Sequence, residues 1–403
     1  MRFRRLMGSA APACCAALFA VPAEAAPCTD LDNFVVLQVG DTQEPLAKQL
    51  GRKLADDAEP ITLVYVTSGS CTNIEAIYTD LSVTTTPKFV PSSNDDPSWD
   101  PSMPSPECEL PVDGSGLPID LANSATFVSS CTTDDPPAGI GFVSGPVQGY
   151  LFVVPEASSQ TALTAEEGYF AFGFGEAGQV TPWVNEELLF IRPPTKSTIL
   201  TTMAALDVPA AKAKGVPYDK SGELVAAMQA SPDPEASIGI LGVEIYDRNR
   251  DTLNALAFQA FGQNHAYYPD STFSATDKQN VRDGHYVPWA PTVFLGEVDE
   301  AGSFVDDRVA RIVGMILGED VQPPPDPPFD PLALVIGVGL IPDCAMKVTR
   351  KFEGGDLSLY DPATPCDCYF LSEVGGDVDA CVACEGDEDC DGGACHHGFC
   401  EAY

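Results

Sequence analysis

The sequence predicts an α/β protein of two lobes with a small disulfide-rich module at its C-terminus, and three observations lead there. Between residues 34 and 317, short apolar strands alternate with helical patterns, the order that builds sheets covered by helices. A proline-dense stretch at residues 323–331 (PPPDPPFDP) is a stiff linker that sets off the remainder of the chain. Eight of the fourteen cysteines lie from Cys344 onward, and beyond Cys366 the chain is rich in Gly and Asp with no apolar run to form a core.

Residues 1–26 read as a secretory signal: Arg2, Arg4 and Arg5 precede an apolar run over residues 6–21, and Ala23-Glu24-Ala25 supplies the cleavage pattern. Pro27 stands before Cys28, where a lipid-anchored protein needs a small residue, so a freely exported protein is expected, periplasmic or extracellular. Cleavage removes Cys14 and Cys15. It leaves twelve disulfide candidates: Cys28, Cys71, Cys108, Cys131, Cys344, Cys366, Cys368, Cys381, Cys384, Cys390, Cys395 and Cys400. Their pairing is not fixed by the sequence. With 21 basic and 59 acidic residues the formal charge is −38, which argues against nucleic acid as a partner and against docking on anionic lipid. No later apolar run reaches the ~20 residues of a membrane span, so no insertion is expected after signal cleavage.

The organisation expected along the chain is a first lobe over residues 27–148, with a Pro-, Ser- and Asp-rich, cysteine-bearing insertion at about 91–118. A second lobe spans residues 149–275, and residues 276–322 return to the first. The linker at 323–331 leads to a β-rich extension at 332–365 and the cysteine-rich tail at 366–403. Within this frame, residues 34–39 and 61–66 are strands, each followed by a polar turn and a helix. Strands are also expected at 121–128, 149–155, 169–174, 238–245 and 253–259, and an amphipathic helix carries Val309, Ile312, Val313, Ile316 and Leu317. Gly173-Phe-Gly175-Glu-Ala-Gly178 matches a dinucleotide fingerprint on paper. Gln179, Val180 and Pro182 follow it, so no phosphate-binding helix begins there and a nicotinamide cofactor is rejected.

The stretch that points to chemistry is Phe190-Ile-Arg-Pro-Pro-Thr-Lys-Ser-Thr198, the junction of a short strand with a helix that Ser197 or Thr198 would cap. Exposed N–H groups at a helix start favour an anion, and Arg192 and Lys196 add full charges to those partial ones. The structural alternative is that Arg192 pairs with a surface carboxylate and Ser197 only caps the helix.

Taken with Asp41-Thr42 after the first strand, Ser68-Gly69-Ser70 after the second, residues 238–242 and residues 280–286, this junction resembles the PstS-like periplasmic phosphate-binding proteins of ATP-driven importers. The resemblance runs over about residues 34–318. It implies the bilobal, type 2 periplasmic-binding-protein fold, with Thr42, Ser70, Arg192, Lys196, Ser197 and Thr198 around a small inorganic oxyanion such as phosphate. An ABC importer permease would be the partner. The family pattern also implies an aspartate acceptor near Ala125 and an acidic residue at Pro194, and neither is present. A site of donors alone should prefer sulfate to hydrogen phosphate. The alternative is a surface or matrix recognition protein on the same scaffold with a degenerate site.

In the tail, disulfides are preferred to zinc, since export favours oxidation and the adjacent His396 and His397 point apart. No metal or cofactor is expected. Nucleophile-elbow, Walker and His-Glu-x-x-His patterns are missing, so the chain is read as a non-enzyme.

Overall fold

A computed structural model describes residues 26–391 and 393–401, so the expected signal segment lies outside the described residues except for Ala26. Seven residues of mostly β-branched and apolar character form β1 (Phe34–Gly40), and Leu46, Leu50 and Leu54, spaced by four, bury one face of α1 (Glu44–Ala55) against it. The pattern repeats in β2 (Thr62–Ser68), parallel to β1, and α2 (Ser70–Tyr78). After β3 (Lys88–Phe89), the Pro-rich insertion is tied down by the Cys28–Cys108 bridge and by Lys48 and Arg52 of α1, which donate to the Met103 and Pro91 carbonyls. Strand β4 (Leu121–Ser124) is shorter than the expected 121–128, because the Ser124 hydroxyl accepts from the Thr126 amide at 3.3 Å and turns the chain.

The long β5 (Ile140–Pro155) joins the two lobes. Its first half pairs with β12, and its second half pairs with β9. The second lobe continues with β6 (Ala162–Thr164) and α3 (Ala165–Phe174). Residues 169–174 are therefore helical and not the expected strand. A reciprocal capping box decides this: Thr164 Oγ1 accepts from the Glu167 amide at 3.1 Å, and Glu167 Oε2 accepts from the Thr164 amide at 2.9 Å. Next come β7 (Leu189–Ile191), α4 (Ser197–Ala205), β8 (Val216–Pro217), α5 (Ser221–Gln229) and β9 (Ile238–Gly242). The strand expected over 238–245 ends at Gly242, where α6 (Val243–Asp247) starts. The expected strand at 253–259 is two, β10 (Leu253–Ala255) on β5 and β11 (Ala257–Gln259) on β6.

Helix α7 (Gln279–Arg282) leads into β12 (Trp289–Glu297), which returns to the first lobe, and α8 (Asp307–Leu317) covers that lobe's core. The ten-stranded path is β3-β2-β1-β4-β12-β5-β9-β7-β8, with β10 on β5. Beyond the prolines, α9 (Pro331–Gly337) replaces the expected strands: Pro331 takes the first helical position, and Asp330 Oδ1 accepts from the Leu332 and Ala333 amides at 2.8 and 3.2 Å. The β-structure of this extension is a short hairpin of β13 (Val348–Thr349) and β14 (Ser358–Leu359) and a bridge from Ile341 to Val147.

The tail holds α10 (Asp367–Glu373), β15 (Ala394–His396) and β16 (Phe399–Glu401). Its staples are Cys344–Cys366, Cys368–Cys381, Cys384–Cys395 and Cys390–Cys400, while Cys71–Cys131 joins Cys28–Cys108 in the first lobe. All twelve predicted candidates are paired. The sulfurs of Cys384, Cys390 and Cys400, which lie close together, are thus bonded in bridges.

One buried acid stands out against this core. Glu244 in the first turn of α6 is 2% exposed, and neither oxygen makes a well-formed hydrogen bond to a described residue, although Gln148 lies beside it. Burial pushes its carboxyl up to about 7 from the ordinary 4.5. The folded state therefore holds this proton more tightly than the unfolded chain, so stability is fully present below pH 4.5 and is lost as pH rises through about 7. Glu244→Gln is expected to stabilise the protein at pH 8 by on the order of 1–3 kcal/mol and to leave it unchanged near pH 4, as read from denaturant unfolding at the two pH values.

Candidate functional site

The first-lobe turn after β1 and the second-lobe turn after β7 face one another, and Arg192 lies between them with 1% of its surface exposed. Its position follows from the local sequence. Strand β7 is wholly buried, Arg192 is the next residue, and Pro193 opens a tight turn, closed by the Lys196 amide on its carbonyl at 3.0 Å, that leads into α4.

The guanidinium is bound on several sides. Nη2 donates to Asp41 Oδ1 and Oδ2 at 3.0 and 2.9 Å and to the Asp219 carbonyl at 2.7 Å, and Nη1 donates to the Ser221 hydroxyl. Nε has no partner among the described residues. Asp41 comes from the opposite lobe, from the turn between β1 and α1. It also accepts from the Ser221 amide at the start of α5 at 3.2 Å and from the Ser221 hydroxyl at 3.1 Å. Lys196 Nζ stands 3.7 Å from Asp41 and 3.6 Å from Asp219. A carboxylate of the chain itself thus sits at a helix start between two cations, an arrangement that suits any small oxyanion. Burial alone would raise the Asp41 carboxyl, but Arg192 and Lys196 beside it hold it below the usual carboxylate range.

The remaining expected residues are all buried, but their polar groups are turned to local partners. Ser70 Oγ accepts from the Ala125 amide at 3.1 Å, and Thr42 Oγ1 is 3.4 Å from Gln148 Oε1. Helix α4 begins at Ser197 with Lys196 in the cap position, and no side chain caps it, so neither Ser197 nor Thr198 is the cap that the sequence suggested. Ser197 instead faces the buried phenol of Tyr150, whose hydroxyl donates to the Ala125 carbonyl. The Thr198 carbonyl accepts from Thr202 Oγ1 at 2.7 Å.

The two lobes also meet through backbone. The Cys71 amide in the first turn of α2 donates to the Thr195 carbonyl at 3.2 Å, and the approach is so close that a Cβ at Gly69 would stand 2.8 Å from that oxygen. One amide at the start of α2 is therefore satisfied by a carbonyl from the other lobe. Gln43 Nε2 adds a bond to Gln148 Oε1 at 2.6 Å, where β5 passes between the lobes.

Sequence reasoning quoted Asp41-Thr42 but gave a ligand role to Thr42 alone; Ser221 and Asp219 were missed. An acidic residue in a turn directly after a buried strand, in a chain whose Arg192 lacks the expected acidic neighbour at Pro194, was the available signal. The sequence reading named donors alone, whereas in the unliganded chain Asp41 places an acceptor among them. His285 lies outside this region, against Asp283 at 2.7 Å and stacked on Tyr267.

No family model matches the sequence, and no curated protein matches it either. Among solved structures, a candidate phosphate ABC transporter substrate-binding protein from Clostridium perfringens, with phosphate bound, is similar at 13% identity. The match covers 77% of this chain and 99% of that one with a TM-score of 0.51. An ABC-type phosphate transport receptor from Vibrio cholerae matches at 11% identity over 77% and 99% of the two chains, TM-score 0.48. PstS from Borrelia burgdorferi matches at 13% over 77% and 99%, TM-score 0.42. At such identities the likeness is one of fold, and the first of the three carries it. A sheet shared between two lobes through β5 and β12, together with that likeness, gives the chain a divergent PstS-like, type 2 periplasmic-binding-protein fold with a disulfide-rich C-terminal module.

Proposed function

We propose that this chain is an exported binding protein, not an enzyme, that captures a small oxyanion between its lobes by displacing its own Asp41 carboxylate. The observation that carries this reading is the buried Arg192, whose guanidinium holds an anionic group delivered by the other lobe. A buried cation needs an anion, and the internal one marks both the place and the chemistry of the external one. In the bound state Arg192, Lys196, the Ser221 amide and hydroxyl, and the starts of α2 and α4 with Ser70, Ser197 and Thr198 would surround the ligand. Thr42 lies beside Asp41 in the same turn. Phosphate is the first ligand to test, and an ABC importer permease is the partner that this reading implies. Residues 1–26 would direct export.

Displacement has a definite energetic consequence. An external oxyanion gains charge-assisted bonds of roughly 1.5–3 kcal/mol each only after Asp41 has given up its own, so the apparent affinity is the intrinsic one multiplied by the fraction of molecules in which Asp41 has left the site. One specific observation favours a second reading, a scaffold with a closed, ligand-free cleft: the guanidinium Nη groups and the α2 start are already matched internally.

Calorimetric titration of the mature chain with phosphate, sulfate and arsenate separates the two readings. Oxyanion uptake is expected to be saturable, and Arg192→Ala should weaken it by about a hundredfold or more. Asp41→Asn should tighten it by about tenfold, because the internal competitor loses its charge, and should lower the melting temperature of the unliganded protein, which then recovers with added anion. Failure of wild type and Asp41→Asn alike to bind any of the three anions would sink the receptor reading and leave the scaffold.

A further inference from the structure

Two-lobed proteins of this kind admit ligand by bending at the strands that join the lobes. Here those strands are β5, around residues 147–150, and the chain entering β12, around residues 287–291, which run side by side. The segment that follows the prolines is built into both of them. Ile341 exchanges a pair of backbone hydrogen bonds with Val147, at 2.7 and 2.9 Å. Arg350 donates to the Val287 carbonyl at 3.2 Å and to the Trp289 carbonyl, with its guanidinium 4.3 Å from the centre of the Trp289 ring.

The same segment reaches from there into each lobe. Along α9 and the turn after it, Val335, Val338 and Leu340 belong to the first lobe's core, and Leu332, Ile336 and Ile341 belong to the second's. Arg350 lies over Phe127 of the first lobe at 5.7 Å, while its ion-pair partner Glu353 accepts from Thr201 Oγ1 of α4, in the second lobe, at 3.1 Å. Arg350 and Glu353 are both nearly buried, so bending would have to break the guanidinium's bonds to the Val287 and Trp289 carbonyls or the bond from Thr201 to Glu353.

We infer that residues 331–353 are a strap that locks the hinge, so that this protein rests with its lobes closed whether or not an anion is bound. An apolar helix shared between two cores cannot follow both lobes when they separate, and the Arg350–Glu353 pair ties the bending strand to α4 across that motion. Opening of the cleft then requires displacement of the strap, and exchange of any ligand is correspondingly slow. This inference concerns the resting shape and does not depend on which anion, if any, the cleft takes.

Small-angle scattering and amide exchange of the mature, oxidised chain without added anion test it. Wild type should have the radius of gyration of the closed form, unchanged by phosphate, and the Cys71 amide that bonds Thr195 across the lobes should be protected. Arg350→Ala should enlarge the radius and speed exchange at Cys71 by about tenfold or more while leaving β1 protected. Thr201→Val, which keeps the buried volume and removes only the hydroxyl that Glu353 accepts from, should speed exchange at Cys71 in the same direction even if Arg350→Ala fails to fold. A wild-type chain that is open without anion and contracts on adding phosphate would overturn the strap. So would a Cys71 amide that stays equally protected in wild type and in Thr201→Val, since closure would then rest on the Asp41–Arg192 contact by itself.

Discussion

A guanidinium taken out of water must be met by charge and by acceptors, and Arg192 is almost wholly buried between two lobes. That requirement organises the centre of the molecule. Asp41 has to come from one side, and the Asp219 carbonyl and the Ser221 hydroxyl from the other, because a buried cation without them would cost several kcal/mol. Once they are in place the lobes stand close enough for the Cys71 amide to reach the Thr195 carbonyl, and only glycine fits at position 69.

The rest of the chain reinforces this closed arrangement from outside. Cys71–Cys131 fixes the helix whose start faces Thr195, and Cys28–Cys108 holds the proline-rich insertion against the first lobe. The tail is stapled to itself and docked through Arg282, which pairs with Asp367 and stacks 4.9 Å from the Phe370 ring. Glu401 accepts from the Cys368 and Tyr369 amides at the start of α10. These bridges close loops in the unfolded chain and stabilise a module that buries few apolar side chains. The tail thereby anchors the far end of the segment that crosses the hinge.

Charge is distributed accordingly. The protein carries a large excess of acid, yet four of its few arginines, Arg192, Arg282, Arg311 and Arg350, are nearly buried at the places where separate parts of the chain meet. Each holds backbone carbonyls together with a carboxylate, a combination that suits the planar, multiply donating guanidinium better than a lysine ammonium. Glu244 is buried with no cation at hydrogen-bonding distance, and burial raises its proton affinity; burial does the same to Glu353 even beside Arg350.

Local sequence determined the alternation of strands and helices through β1, α1, β2 and α2, the amphipathic α8, the cysteine-rich module and the strand–turn–helix junction at Arg192, since each follows from periodicity, turn residues or composition over a few positions. It misled where a cap competes with composition: the aromatic run at 169–174 looks like a strand until Thr164 and Glu167 are seen to close a helix start, and the apolar residues after Pro331 look the same until Asp330 is seen to cap them. The partner of Arg192 was decided by tertiary structure alone. Asp41 lies 151 residues away, and no local rule links two charges whose distance is set by the packing of β5 and β12 between the lobes. The same holds for the segment after the prolines, whose apolar residues are divided between two cores that exist only once both lobes have folded.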